Sequence, residues 1–541
     1  MSKIQVEVRF TDKLESIRVG GQDMEIPNAI KTKSVEEWFE PAAGRVNWDG
    51  LGAEIKAMGF SGEKDAVYSF QFNGPEDKKR EFMNCVECFC LGEEAQQETQ
   101  EETEQDYLQD ASDFQQVGNA EMAFQKYMVA ASDYGSPEAQ FEVARCYQNG
   151  TGVEKNEENA VVWYKKAAEQ GYAEAQKKLG DCYNYGTGVA KDLEQAFECY
   201  RKAAEQGNAR AQNNLGVCYM NGNGVTKDPV QAAEWYARAA EQGLARAQYN
   251  LGYCYKTGEG VEKDPKKAAM WCEKAAEQGI AVAQNSIGYC YDTGFGVEKD
   301  TSKAVFWYRK AAEQGNVGAQ YKLGKCYYYG KGTEKDNEEA VKWFRKAAEQ
   351  GDADAQYKLG LFYENGYGVA QNKEEAVKWY RKSAEQGYAD AQYNLAELLY
   401  NVAGFLSWKD GEEAFKWYQK AAKQGHAGAQ DSLGLCYEET DMEMEIYWGM
   451  GMGVEKDSAK AVEWYRKAAE QGLGLAQYQL GRCYEGGHGV TKDLTKAAEW
   501  YQKAADKGYD KKLLQGCDVG SAVAAGAALA ATGLIWKILR G

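Results

Sequence analysis

Three cysteines, Cys85, Cys88 and Cys90, have the side-chain type and spacing that come nearest to metal chemistry in this sequence. A structural zinc ion takes four thiolate or imidazole ligands, so the trio needs a fourth. The only 2 histidines, His426 and His488, lie far downstream. The trio therefore reads as buried or half-exposed thiols on a helix, and no metal is assigned. The lack of a nearby imidazole also removes the case for a cysteine nucleophile. Gly150-Thr151-Gly152 and its counterparts look like pieces of a phosphate loop. No Gly-Lys-Ser/Thr follows them, and they recur down the chain, which a turn explains better. Trp235-Tyr236 and Trp307-Tyr308 could stack a planar ligand, yet aromatics at a fixed helical spacing read as core. Without paired carboxylates or a nucleophile beside a base, the sequence is read as non-enzymatic, with no catalytic residue and no cofactor.

The remaining chemistry is recognition. Tyr249, Tyr321, Tyr357 and Tyr393 each follow an Ala-Gln pair, and Asn214, Asn250 and Asn394 occupy the next position, outside the apolar stripe of the same segment. An asparagine amide bonds both the donor and the acceptor of an extended backbone, and a tyrosine offers rigid area at small entropic cost. These seven residues are the expected partner-binding set, with solvated surface as the alternative.

The elements that must carry them are repeats. The Ala-Gln pair recurs from Gln140 to Gln392 in seven steps of 36 residues, then at Gln430 and Gln477 after steps of 38 and 47. A fixed period of this size marks a solenoid. In one unit Ala175, Leu179, Cys182 and Tyr183 share one helical face, and Ala196, Phe197, Tyr200, Ala203 and Ala204 share another. Gly186-Thr187-Gly188-Val189 ends the first helix, and Asp192 caps the second. Pro229 and Pro265 fall in first helical turns, where a missing amide hydrogen is harmless, and Asp336 with Glu339 has capping-box spacing. Gly180 and Ala203 are small where the two helices approach.

The pattern A-x-A-Q-x-x-L-G-x-C-Y-x-x-G-x-G-V-x-K-D, then A-x-x-W-Y-x-K-A-A-E-Q-G, resembles the Sel-one-like repeat (SLR) family, a relative of the tetratricopeptide repeat. The resemblance covers ten copies over 137–509. A degenerate pair at 106–136, with Gly118-Asn119, Ala123, Tyr127 and Ala130, fits tetratricopeptide spacing and reads as an N-terminal cap. The resemblance implies a right-handed superhelix of helix hairpins that holds a protein or peptide partner in its groove, which the position before Leu-Gly would face. Two stretches depart from the pattern: around 401–410 the Gly-x-Gly-Val turn is lost, and 439–450 is an insertion rich in Met, Glu and Trp. In secreted cysteine-rich members a disulfide joins the positions matching Ala168 and Gln176. Both cysteines are absent here, which implies a reducing compartment.

Composition sets the outer bounds. A net charge of −19 argues against nucleic acid as a partner, since phosphates need clustered Lys and Arg in excess. The opening MSKIQVEVRF is no secretory signal, so a cytoplasmic location is expected. Of 14 cysteines, Cys146, Cys182, Cys218, Cys254, Cys290, Cys326, Cys436 and Cys483 share one repeat position, which Phe362 fills in another copy, and read as small core hydrophobes.

The ends differ from the repeats. Alternation over Ile4–Phe10 and at Tyr68, Phe70 and Phe72 predicts strands, with another over Leu14–Val19. Ser34 with Glu37 predicts a helix start before Trp38 and Phe39. Trp48, Leu51, Ile55 and Met58 predict a helical stripe, and Pro75 opens a helix with Phe82, Val86 and Phe89. Residues 1–92 are thus expected to form a small α+β domain, and the glutamate-rich 93–105 a linker or exposed helical lead-in. Over 510–541 a hydrophobic C-terminal helix is expected, because Val519–Trp536 has no charge. Its small residues, among them Gly520, Ala524, Gly526, Ala528 and Gly533, suit helix association and oligomerisation in a membrane. The alternative is a helix capping the final repeat.

Two functions follow: a membrane-tethered adaptor binding a protein partner in the groove, or an effector whose C-terminal helix permeabilises a bilayer on a signal received by the repeats.

Overall fold

The computed structural model describes residues 4–10, 14–19, 22–24, 53–61, 65–72, 103–403, 408–438 and 454–509. The chain divides into two compact units, 1–199 and 200–541.

The first unit opens with five antiparallel strands, β1 (Ile4–Phe10), β2 (Leu14–Val19), β3 (Gln22–Met24), β4 (Ala53–Ser61) and β5 (Asp65–Phe72), in sheet order β3-β2-β1-β5-β4. In β1, Val8 pairs with Ile17 of β2 on one side and Tyr68 of β5 on the other. The three strands expected from alternation are present. The helical stripe is not: Ile55 and Met58 lie in β4, where Ile55 pairs with Phe70 and Met58 with Val67. The same segment also has period two through Ala53, Ile55 and Ala57, and strand pairing prevails. Trp48, Leu51, the Ser34 cap, the Pro75 helix and Cys85, Cys88 and Cys90 lie outside the described residues.

After the sheet, Thr103 starts a helix over Glu104–Gln116 with a capping box. The Thr103 hydroxyl accepts from the Asp106 amide at 3.4 Å, and the Asp106 carboxylate accepts from the Thr103 amide at 2.7 Å. Helix thus begins within the segment expected as a linker. A second helix, Ala120–Ser132, completes that hairpin, and its Ala123, Tyr127, Ala130 and Ala131 pack with Tyr107, Ala111, Ala139 and Val143.

The second unit is a mainly α solenoid of helix hairpins. The first helices run over Ala209–Asn221, Ala245–Thr257, Ala281–Thr293, Val317–Tyr329, Ala353–Asn365, Ala389–Ala403, Ala427–Glu438 and Gly474–Gly486, and each is followed by a second helix. Caps fall where the residue types demand. The Asp228 and Asp264 carboxylates accept from the first free amides, with proline next in the helix. Asp336 caps through the Glu339 amide, but Glu339 turns to Lys342 at 2.6 Å, so the return half of the expected box is not made.

Two glycines explain the repeat. Gly296 has φ +74°, and a Cβ there would lie 1.9 Å from the Pro265 carbonyl oxygen of the preceding repeat. The Gly-x-Gly turn is therefore the surface on which successive repeats seat, not a phosphate cradle. Gly288, on a first helix, leaves room for the Tyr308 ring of its partner helix, whose Cδ1 would be 2.7 Å from an added Cβ.

A glutamine ladder stitches the stack. Gln320 donates to the Ala312 carbonyl of the repeat before it at 3.1 Å, and its oxygen accepts from Gln350 at 2.8 Å. The same pair of bonds forms at Gln248, Gln284, Gln356, Gln392 and Gln430. In the first unit Gln176 donates to the Ala168 carbonyl at 3.1 Å. In the last copy Lys507 stands where the donor glutamine would be, and the Gln477 carbonyl oxygen is buried without a partner. The eight repeat-position cysteines are buried. Burial pushes the Cys146, Cys182, Cys218 and Cys254 thiols up to about 11, which makes them inert at neutral pH.

Candidate interaction face

The first helices of the second unit lie side by side and bond directly to one another. Asn250 donates to Asn213 at 2.9 Å, Lys322 to Asn285 at 3.1 Å and Ser432 to Glu397 at 3.2 Å, in each case from one repeat to its neighbour. These contacts outline a strip along the first helices, made of the two positions after each Ala-Gln pair and the positions one and two turns further along the same helices. The expected recognition residues lie on it, with unequal freedom. Tyr249, Tyr321, Tyr393, Asn214 and Asn250 are half-buried. Tyr249 and Tyr321 pack against the core along one side of the ring.

Tyr357 and Asn394 do not escape the core, contrary to expectation. Tyr357 is 8 % exposed, its ring 5.8 Å from Tyr380 and 5.1 Å from Tyr388. Asn394 is 9 % exposed and donates to the Tyr380 hydroxyl at 3.4 Å. Their neighbours come from other helices, so periodicity within one helix could not show this burial.

Charge along the strip is mostly positive over 245–352, where Asp292 is the exception and pairs with Lys331 at 2.7 Å, and mostly negative over 353–438, where Lys358 is the exception. Over 245–352 the strip carries Lys256, Lys322 and Lys325. The Lys256 and Lys322 ammonium groups stand 5.0 Å and 5.3 Å from the centroid of the same Tyr289 ring. Burial, and then the Lys256 charge, hold the Lys322 ammonium below its ordinary range. Over 353–438 it carries Glu364, Glu397 and Asp431. Glu364 accepts from the Tyr380 hydroxyl at 2.6 Å, and Glu397 from Tyr418 at 2.8 Å. Asp431 is 4 % exposed with one carboxylate oxygen unpartnered. Burial, followed by the Glu397 and Glu438 charges, pushes its carboxyl up to about 7.

The second helices are built for support. Trp307 and Tyr308 are 8 % and 1 % exposed, which makes that pair core. Lysines one turn on cover the tryptophans, as Lys346 covers Trp343 at 4.0 Å and Lys420 covers Trp417 at 3.8 Å. The Trp-x-x-Lys spacing, with Arg238 in the lysine's place beside Trp235, was the available signal. Among the described residues no group of His, Cys, Asp and Glu could hold a metal ion, and no helix is long and apolar enough to cross a membrane. Val519, Gly520, Ala524, Gly526, Ala528, Gly533 and Trp536 lie outside the described residues.

The Sel1 repeat profile matches residues 137–172, 173–208, 209–244, 245–280, 281–316, 317–352, 353–388, 389–426, 447–473 and 474–509. A protective antigen of uropathogenic Escherichia coli strains, displaying an SLR fold, is 37 % identical over 78 % of this chain and 92 % of that one, with a TM-score of 0.67. A Sel1 repeat protein of Oxalobacter formigenes is 37 % identical over 45 % of this chain and 96 % of its own, with a TM-score of 0.42. Helicobacter pylori cysteine rich protein B is 30 % identical over 24 % of this chain and 92 % of its own, at 0.20. A comparison with curated proteins yields no match.

Proposed function

The chain belongs to the Sel1 repeat family, whose fold is in general a scaffold for protein–protein interaction, and from that premise we propose that it is a non-enzymatic adaptor. A protein or peptide partner binds along the first-helix strip of the second unit, in the groove of a right-handed superhelix. The observation that carries this reading is the inter-repeat bonding of Asn250 to Asn213 and Lys322 to Asn285. It joins polar positions of neighbouring first helices, beside the half-buried rings of Tyr249 and Tyr321. Asn214, Asn250, Tyr249, Tyr321 and Tyr393 are the contact residues, and Tyr357 and Asn394 support them from beneath. The N-terminal region docks a second partner. The uncharged Val519–Trp536 stretch tethers the assembly to a membrane, a reading supported by its composition.

The test compares two variants by affinity capture with quantitative mass spectrometry. A strip variant carries Tyr249→Ala, Asn250→Ala and Tyr321→Ala, and a control carries Phe306→Ala and Tyr329→Ala, residues 50 % and 58 % exposed off the strip. The proposal expects the same proteins with the native chain and the control and their loss with the strip variant. Loss with the control alone would refute it.

A further inference from the structure

The strip contains a place whose chemistry narrows the partner. Tyr249, Tyr253, Lys256, Ser286, Cys290 and Phe295 line a recess between neighbouring repeats. Lys256, on its rim, has no hydrogen-bond or ion-pair partner among the described residues, and neither does Lys325. Lys322 approaches the same Tyr289 ring, and its amine has Asn285 as its one hydrogen-bond acceptor among the described residues. The two ammonium groups near this ring repel each other, and Asp292, the carboxylate that acts on Lys322, is itself paired with Lys331 at 2.7 Å, so positive charge remains in excess and favours an anion. An apolar recess beside that pair takes a hydrophobic side chain.

We propose that the strip over 245–352 binds an acidic segment of a partner protein, seating a carboxylate between Lys256 and Lys322 and a neighbouring apolar side chain in the recess. Charge complementarity selects this occupant. The chain as a whole carries −19, so a long polyanion such as nucleic acid is repelled by the surroundings, while a short acidic segment meets only the local cations. The proposal rests on the groove reading above and deepens it.

The test titrates the full chain, by fluorescence anisotropy, into a short labelled peptide of alternating glutamate and leucine and into its glutamine-for-glutamate counterpart. The glutamate peptide should bind about tenfold more tightly, the difference expected of charge-assisted hydrogen bonds. Lys256→Met with Lys322→Met should abolish the preference, and Lys256→Arg with Lys322→Arg should keep it. Should the methionine variant unfold, Ser286→Glu, which sets a carboxylate in the same recess, should give the same loss. Equal binding of the two peptides overturns the ionic assignment and leaves the groove standing if Tyr321→Ala weakens both. Binding of neither peptide overturns both readings. Tighter binding of a single-stranded oligothymidylate overturns the choice of an acidic protein segment.

Discussion

The repeats over 245–352 and those over 389–438 share one framework and use it differently. In the first stretch the Gly-x-Gly turns are complete, and the strip positions carry cations and half-open tyrosines. In the second the turn after the first helix is lost and an insertion follows. There the strip holds Asp431 buried and Glu397 half-buried, with Tyr393 stacked on His426 at 4.6 Å. The ladder and the alanine core supply the cohesion in both stretches, which leaves the strip over 245–352 half-open for a ligand. In the second stretch Asp431 is drawn into the packing, as Asn213 and Tyr357 are, at 3 % and 8 % exposure, in repeats whose turns are complete.

The comparison can be broken most strongly at Asp431. Its carboxyl rises from the ordinary 3.8 to about 7, so the stability it contributes is present below pH 3.8 and lost as pH climbs through about 7. Asp431→Asn should leave the urea midpoint unchanged at pH 4 and raise stability at pH 8 by at most about 4 kcal/mol. A midpoint that shifts equally at both pH values would show that Asp431 is not the group that titrates. In the regular stretch Gly296→Ala combines a strained left-handed backbone with a clash on the Pro265 carbonyl. It should cost about 3 kcal/mol, against about 1 kcal/mol for Gly315→Ala, which meets no atom within 4 Å. Thermal denaturation of the two variants side by side reads the difference.

Gln320→Leu removes both ladder bonds at one joint, leaves the Ala312 carbonyl with the Gly315 amide and the Gln350 amide with the Lys346 carbonyl, and should cost about 2 kcal/mol by urea denaturation. The smallest effect sharpens the comparison in the other direction. The Tyr308 hydroxyl is buried without a partner, because the residue sixteen positions back is Asp292, where Glu364 and Glu485 reach the matching tyrosines at 2.6 Å. Asp292→Glu supplies the missing methylene and should stabilise by about 1 kcal/mol. A destabilised variant would show that the longer side chain cannot be seated there.

Much of this was legible beforehand, because repetition turns one local pattern into many independent tests. The period, the Asp228 and Asp264 caps, the turn glycines and the buried cysteine position all follow from residue type and spacing. The ladder was also present as two glutamines thirty residues apart in each regular copy up to Gln356–Gln386, but a polar pair carries no helical periodicity to draw notice. The burial of Tyr357 and Asn394 was not legible, since it depends on Tyr380 and Tyr388 from other helices. The β4 segment satisfied both the helical and the strand period, and only its pairing with β5 decides between them.

The central claim is that the first-helix strip of the second unit is where the partner lies. Site-specific photo-crosslinking in cells tests it most directly, with benzoylphenylalanine placed in turn at Tyr249 and Tyr321 on the strip and at Phe306 and Tyr329 off it. The account predicts discrete protein adducts from the first two positions and none from the second two. Adducts from Phe306 and Tyr329 with none from Tyr249 and Tyr321 would contradict it.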